Sequence, residues 1–339
     1  MNGQVQGVLP YWLDRPDEEA IEIALEVKRA GLGALWIGEL ATFDAVALAT
    51  AIGHRADGLR LKLGPLAVGV RDPVSFALAV STVATLTGSE VDLALGASSP
   101  VIVAGWHDRP LLHPATQMRE TIECLRPILA GERSEYDGEH VRSHGFRLRR
   151  PCPQTRICVA AFGPAMTRIA ALHGDELVLN LVAPEHVRTV RETIEAEAAA
   201  AGRPAPRLAV WVSVALDPGE AARAQLAGQL AIYLAPPGYG EMFSQLGFGE
   251  LVERARAGAR RSELASAVPP ELLEQVCAIG SADEVIARIS AYHEAGADVV
   301  GVVPSTAEDP GGRRVLSAIG ESFKQPAGLA TPKPDEVHS

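Results

Sequence analysis

The sequence predicts an α/β fold, a closed (β/α)8 TIM barrel, and three observations carry that prediction. Short β-branched or Leu-rich runs alternate with longer segments of helical period, the pattern of repeated βα units on a parallel sheet. Eight such pairs fit into 339 residues, the usual size of one large barrel. No Pro- or Ser-rich linker divides the chain, so residues 1–324 read as one domain.

Residues 4–9 form the first strand, and Pro16-Asp17-Glu18-Glu19 opens a helix whose acidic first turn meets the positive end of the helix dipole and which stops at Gly31. ALWIGE, 34–39, is the second strand, and Thr42 or Phe43 starts a helix with apolar positions every three or four residues. The later strands are 61–70, 91–96, 156–161, 176–181, 207–216 and 298–303, and a closing helix lies near 311–323. Two connections exceed a tight turn, 97–114 after the fourth strand and 217–280 after the seventh. The second contains Pro236-Pro237-Gly238, which interrupts any continuous helix, and it reads as a helical insertion over the barrel mouth. Residues 325–339 hold little that could pack and are expected to be a disordered tail.

Composition narrows the function. Hydrophobic residues at 47% and charged residues at 22% describe an ordinary globular chain. The formal charge of −11 and the lack of a basic run argue against nucleic acid. No apolar stretch is long enough to span a bilayer and the N-terminus lacks the pattern of a secretory signal, so the expected location is cytoplasmic and away from membranes. Cys124, Cys152, Cys158 and Cys277 are scattered without CxxC spacing, which suggests reduced structural thiols. There is no HExxH and no two-His-carboxylate cluster, so no metal is expected. A GxSxG elbow is also missing, which leaves hydrolysis a minor option.

In a barrel the reactive groups stand at the C-terminal strand ends. There the sequence offers Tyr11 and Trp12 after the first strand, Glu39 after the second, and Ala67, Val68 and Gly69 at the third. Gly96, Ala97 and Ser98 follow at the fourth and Phe162, Gly163, Pro164, Ala165 and Met166 at the fifth. Gly163-Pro164 between a strand and a helix can seat a phosphate, because glycine admits close backbone approach and a Pro-started helix leaves free N–H groups; an ordinary βα turn would read the same way. Gly96 to Ser99 could flank a flat ring, or simply be a loop. Glu39 is a candidate general acid or base, with a rim ion pair as the alternative. His107, beside Trp106, could donate a proton near neutral pH, with a carbonyl-capping loop histidine as the alternative. Tyr239 and Phe243 could line an apolar substrate lid or pack a small core within the insertion. Trp106, Tyr11 and Trp12 complete the expected substrate pocket.

These landmarks resemble the bacterial luciferase-like superfamily of flavin and deazaflavin oxidoreductases, in particular its coenzyme F420-dependent branch. The resemblance rests on Gly33 to Glu39, Arg71-Asp72-Pro73, Thr85 to Gly88 leading into Val91 to Ser99, and Gly105-Trp106-His107. It continues through Tyr136-Asp137-Gly138 to Gly145-Phe146-Arg147-Leu148, Gly163 to Met166, and Gly174-Asp175-Glu176. It implies a barrel of the luciferase-like type, often dimeric, with the cofactor ring in the mouth and its phosphate at Gly163 to Met166. It also implies a non-proline cis peptide in a bulge mapping to Leu66, Ala67, Val68 and Gly69. The sugar-phosphate dehydrogenases of the superfamily carry an acidic residue and a histidine at the second strand end and a glutamate after the fourth. Here those places read Glu39-Leu40 and Ser98-Ser99, which argues against sugar-phosphate oxidation and leaves Glu39 with His107 as the nearest substitute. The resemblance thus implies hydride transfer between F420 and a small organic substrate, in a homodimer. An FMN-dependent monooxygenase and a non-catalytic flavin- or deazaflavin-binding protein are the alternatives.

Overall fold

The computed structural model describes residues 3–12 and 14–323. The tail expected at 325–339 lies outside the described residues. Among the described residues there are eleven strands: β1 (Gln4–Val8), β2 (Ala34–Ile37), β3 (Arg60–Ala67), β4 (Val91–Gly96), β5 (Arg133–Asp137), β6 (Arg142–Arg147), β7 (Ile157–Ala160), β8 (Glu176–Asn180), β9 (Arg207–Leu216), β10 (Ala278–Gly280) and β11 (Val299–Pro304). Eight of them, β1, β2, β3, β4, β7, β8, β9 and β11, pair in parallel and in sequence order, and β11 against β1 closes the ring. Their near-unbroken apolar runs suit strands covered on both faces, by helices outside and by side chains within.

The barrel interior is polar at one level, which the strand pattern did not reveal. Lys62 on β3 reaches Glu176 on β8 at 2.6 Å with both side chains fully buried. Those strands are not neighbours, so the pair crosses the lumen. The Lys62 ammonium also lies 4.2 Å from the Trp36 ring centroid, and the Trp36 indole donates to Gln6 Oε1 at 2.9 Å. Trp211, across the barrel, packs edge-on to Trp36 at 5.4 Å. Removing one member of such a buried pair strands the other charge and costs about 3–5 kcal/mol.

Several expected boundaries shift for local reasons. The helix after β2 spans Ala45–Arg55 and is started by Asp44, whose side chain accepts from the Ala47 N–H, not by Thr42 or Phe43. The third strand stops at Ala67, short of 70, because the N–H groups of both Val70 and Arg71 turn back to the Ala67 carbonyl. The bulge in β3 lies between Leu63 and Leu66, and the cis peptide there is Gly64–Pro65, an X-Pro bond upstream of the Leu66–Gly69 stretch where a non-proline bond was expected.

The excursion after the fourth barrel strand is an antiparallel hairpin, β5 with β6. It is tied down by the buried Glu120 carboxylate, which accepts from the N–H groups of Glu139, His140 and Val141. Between β9 and β10 lie helices Glu220–Tyr233, Tyr239–Phe243, Gly249–Arg256, Arg261–Ala267 and Pro270–Val276. The segment ends in the short β10, which pairs with the end of β9 and was not anticipated.

Candidate active site

The C-terminal ends of the barrel strands feed into helices, and the first amides of each helix need acceptors. Half of the eight find side-chain acceptors within the chain. Asp44 and Asp72 cap the helices after β2 and β3, accepting from Ala47 and Ser75. Glu308 in the loop after β11 accepts from Gly219, Ala221 and Ala222 at the start of helix Glu220–Tyr233, at 2.8–3.3 Å. Asp309 accepts from Arg314 and Val315 at the start of the last helix, and Glu19 accepts from Gly311.

Among the described residues the helices after β1, β4, β7 and β8 have no side-chain cap. Pro164–His173 and Pro184–Ala200 both begin with proline, and no side chain caps either. Gly163 sits at φ 83°, a left-handed backbone that a side chain strains, and an added Cβ there would meet no atom within 4 Å. The space beside Gly163 is therefore open at a positive helix end whose first free N–H groups are those of Ala165 and Met166. Pro164 and Ala165 are exposed there, whereas the Met166 side chain is buried below.

Beside this opening stands an aromatic wall. Phe162 stacks with Tyr239 at 4.1 Å and with His186 at 5.5 Å, and Tyr239 contacts Tyr233 at 4.9 Å and Phe243 at 6.4 Å. The Tyr233 and Tyr239 hydroxyls both face the side chain of Asn180, the last residue of β8. Burial pushes both phenols upward and holds the His186 imidazole below its ordinary value, so all of these groups are neutral at pH 7. The insertion thus meets the barrel at the ends of β7 and β8 through Tyr239.

Opposite, Tyr11 follows β1. Its hydroxyl oxygen is buried, has no side-chain hydrogen-bond partner among the described residues and rests against the Gly38 backbone, with Glu39 and Tyr233 as its charged and phenolic neighbours. Glu39 forms a two-pronged ion pair with Arg71 and accepts from the Ala45 N–H at 3.2 Å. Arg71 also reaches Asp44. Glu39 is therefore held at the strand end with both carboxylate oxygens engaged.

The loops after β3 and β4 complete the mouth. Val68 donates to the Gly96 carbonyl, the Gln117 amide donates to the Val68 carbonyl, and Val103 packs against Gly69. Ser98 has a left-handed backbone, φ 63°, unusual for a residue with a side chain and a mark of a position held by its surroundings. Ala67 and Ala97 join the same rim.

Not every expected residue converges. Trp106, 53% exposed, ends a π-helical turn, Val101–Trp106, and His107 follows it; among the described residues neither hydrogen-bonds nor ion-pairs with Glu39. Trp12 is buried, its indole donating to the Pro304 carbonyl, so it wedges β1 to β11. Phe243 is fully buried in the core. Sequence reasoning named Arg71 and Asn180 at their strand ends and Tyr233 in the insertion, but assigned them no role, and it missed His186. The strand-end rule alone flags Asn180 and Arg71, but only the stack identifies His186.

Comparison with known proteins agrees with the barrel fold. The family model described as luciferase-like monooxygenase matches residues 9–299. A Mycobacterium tuberculosis protein described as a coenzyme F420-dependent oxidoreductase is 25% identical, over 88% of this chain and 94% of its own length. The 5,10-methylenetetrahydromethanopterin reductase of Archaeoglobus fulgidus is 27% identical over 78% and 82% respectively. Among solved structures, the F420-dependent tetrahydromethanopterin reductase of Methanopyrus kandleri superposes with a TM-score of 0.77 at 19% identity, covering 94% of this chain and 97% of that one. An F420-dependent secondary alcohol dehydrogenase gives the same TM-score at 17% identity, covering 95% and 98%.

Proposed function

Because the chain belongs to the luciferase-like monooxygenase family, we propose that it is an F420-dependent oxidoreductase that transfers a hydride between the deazaflavin and a small organic substrate. The observation that carries this reading is the uncapped seat at Gly163 to Met166, placed beside an uncharged aromatic mouth. Relatives named for F420 support the choice of cofactor.

In this reading the free amides of Ala165 and Met166 hold the cofactor phosphate, with Gly163 giving it room and Phe162 turned into the neighbouring wall. Ala67, Val68 and Gly69, at and just after the end of β3, would back the cofactor ring, and Gly96, Ala97 and Ser98, at the end of β4, would border it. The bound cofactor supplies the hydride chemistry. The protein supplies orientation and exclusion of water: Arg71 and Glu39 fix the rim, and Tyr239 and Phe162 wall the chamber. Glu39 is the proposed charged partner of the proton path. His107 joins it only if the turn 101–106 folds inward.

Fluorescence titration with F420 and, in parallel, FMN tests the proposal. Tight F420 and weak FMN binding is the expected result; the reverse makes the chain an FMN-dependent monooxygenase. That second reading is favoured by the family description and by the fold shared with an EDTA monooxygenase, TM-score 0.72.

A cytoplasmic homodimer is part of the proposal. Helix Pro73–Thr87 carries no charged residue, yet it exposes Leu78 (48%) and Leu86 (56%). Such a face is suited to a second copy. Leu86→Glu should convert a dimer to monomer in sedimentation; a wild-type monomer refutes this part.

A further inference from the structure

The outer face of the β5–β6 hairpin is a ladder of charged pairs in which one rung is unmatched, and that rung adjoins further arginines. We infer that this end of the hairpin is a docking surface for a carboxylate-rich segment of another protein, held by guanidinium–carboxylate pairing. The inference stands apart from the cofactor reading and uses no residue of the barrel mouth.

The pairing register fixes which side chains meet. Along β5, Arg133, Glu135 and Asp137 are exposed and alternate with the buried Ser134 and the half-buried Tyr136, so they share the outer face. Their partners on β6 are Arg147, His144 and Arg142. Two rungs set an acid against a basic side chain: Asp137 stands opposite Arg142, and His144 lies 3.5 Å from Glu135 and 3.3 Å from Asp137. The third sets Arg133 opposite Arg147, and like charges directly opposite each other destabilise a ladder.

The contacts around this rung hold the cations without neutralising them. The Arg147 side chain donates to the Gly131 carbonyl at 2.8 Å, and the Arg133 guanidinium lies over Gly145, 3.8 Å from where a Cβ would stand. Arg149 and Arg150 follow β6 and are exposed, and the Arg150 carbonyl accepts from the Ser81 hydroxyl of helix Pro73–Thr87, which ties that turn to the barrel. Among the described residues none of Arg133, Arg147, Arg149 and Arg150 forms an ion pair, whereas Arg60, Arg71, Arg126 and Arg191 each do. From 142 to 156 the chain carries five arginines and no Asp or Glu, although acidic residues outnumber Lys and Arg by 42 to 31 overall. The hairpin thus gathers unpaired positive charge on an otherwise acidic molecule.

Chemistry and symmetry select the partner. A guanidinium presents its N–H groups as a planar fork that matches a carboxylate, so arginines clustered at one end of a hairpin fit a short run of Asp or Glu. Nucleic acid calls for a longer basic stripe or exposed rings on which bases stack. Here the hairpin aromatics, Tyr136 and Phe146, pack toward the core, and the net charge of −11 repels an extended polyanion. A second copy of this chain is a poor occupant, because a two-fold axis through the patch would set arginines against arginines.

Fluorescence anisotropy of a labelled oligoglutamate peptide with the full chain tests this. The peptide should bind more tightly than oligo-dT of matched charge, and its affinity should fall at least tenfold between about 50 and about 300 mM chloride, as screening weakens exposed ion pairs. Arg149→Glu combined with Arg150→Glu, which leaves both strands intact, should weaken the peptide at least tenfold. Added F420 should leave the peptide bound. Arg133→Gln supplies a second readout: without peptide it should raise the melting temperature, because repulsion across the rung is removed, and it should still weaken peptide binding. Oligo-dT binding as tightly as the peptide, peptide affinity unmoved by the Arg149 and Arg150 reversals, displacement of the peptide by F420, or a lower melting temperature for Arg133→Gln would each overturn the inference.

Discussion

The loops after β9 and β11 and the loops after β7 and β8 lie at the same end of the barrel, and both lead into helices whose first amides require acceptors. In the first region the chain answers its own need: Glu308 takes three N–H groups, Asp309 two, and Glu19 one. In the second region Gly163 and Ala183 offer no acceptor, and proline starts each helix. Barrels often bind phosphate after their last two strands; here internal carboxylates occupy those positions, and the open positive helix ends lie two strands earlier. A helix N-terminus becomes a binding site only where the sequence withholds a cap.

The largest predicted effect breaks the open region. Gly163→Val forces a branched residue into a left-handed backbone and fills the vacancy, so F420 affinity should fall at least 30-fold by titration while circular dichroism stays that of the wild type. Unchanged affinity would remove the seat. The next breaks the closed region. Asp309→Ala should cost about 1 kcal/mol in denaturant unfolding, the value of a lost cap, without altering F420 affinity. A fall in affinity there would move the anion site to the last two barrel strands.

Glu308→Ala sharpens the contrast by turning a closed nest into an open one. Sulfate should then raise the melting temperature of the variant more than that of the wild type, since three N–H groups at Gly219, Ala221 and Ala222 lose their acceptor. Equal responses would show that the nest does not bind anions.

The smallest effect follows pH. Burial lowers the His186 pKa from its ordinary 6.5, so the unfolded chain binds more protons than the folded one below that value, and stability falls as pH drops from 6.5 toward the lowered value. Amides hold the Glu308 carboxyl below its ordinary 4.5; its stabilising contribution is present above 4.5 and lost as pH falls through the lowered value. The two regions should thus fail in separate windows. His186→Phe should reduce the decline in the upper window, leaving the share of the buried His173 and His293; a decline identical to wild type would assign it to those two.

How much of this was legible in the sequence varies by residue. The open helix start at Gly163-Pro164 was readable, because a glycine and a helix-starting proline between strand and helix are local signals. That it stayed uncapped while Gly219 was filled was not readable, since Glu308 lies 89 positions from the amide it caps. Glu39 was recognised at its strand end, but its pairing with Arg71 depends on two loops meeting. The β5–β6 hairpin was seen only as an excursion, because its strands are largely exposed and lack the apolar alternation that marks a half-buried strand.

The sequence by itself determined the barrel: runs of apolar residues at strand and helix period, short turns and an undivided length leave few other arrangements. The tertiary structure alone decided the interior pair Lys62–Glu176, the Phe162–Tyr239–His186 stack and the buried hydroxyl of Tyr11. Periodicity is a property of neighbours along the chain, whereas charge pairing, stacking and capping are settled between groups up to hundreds of residues apart, where only closure of the ring brings them within bonding distance.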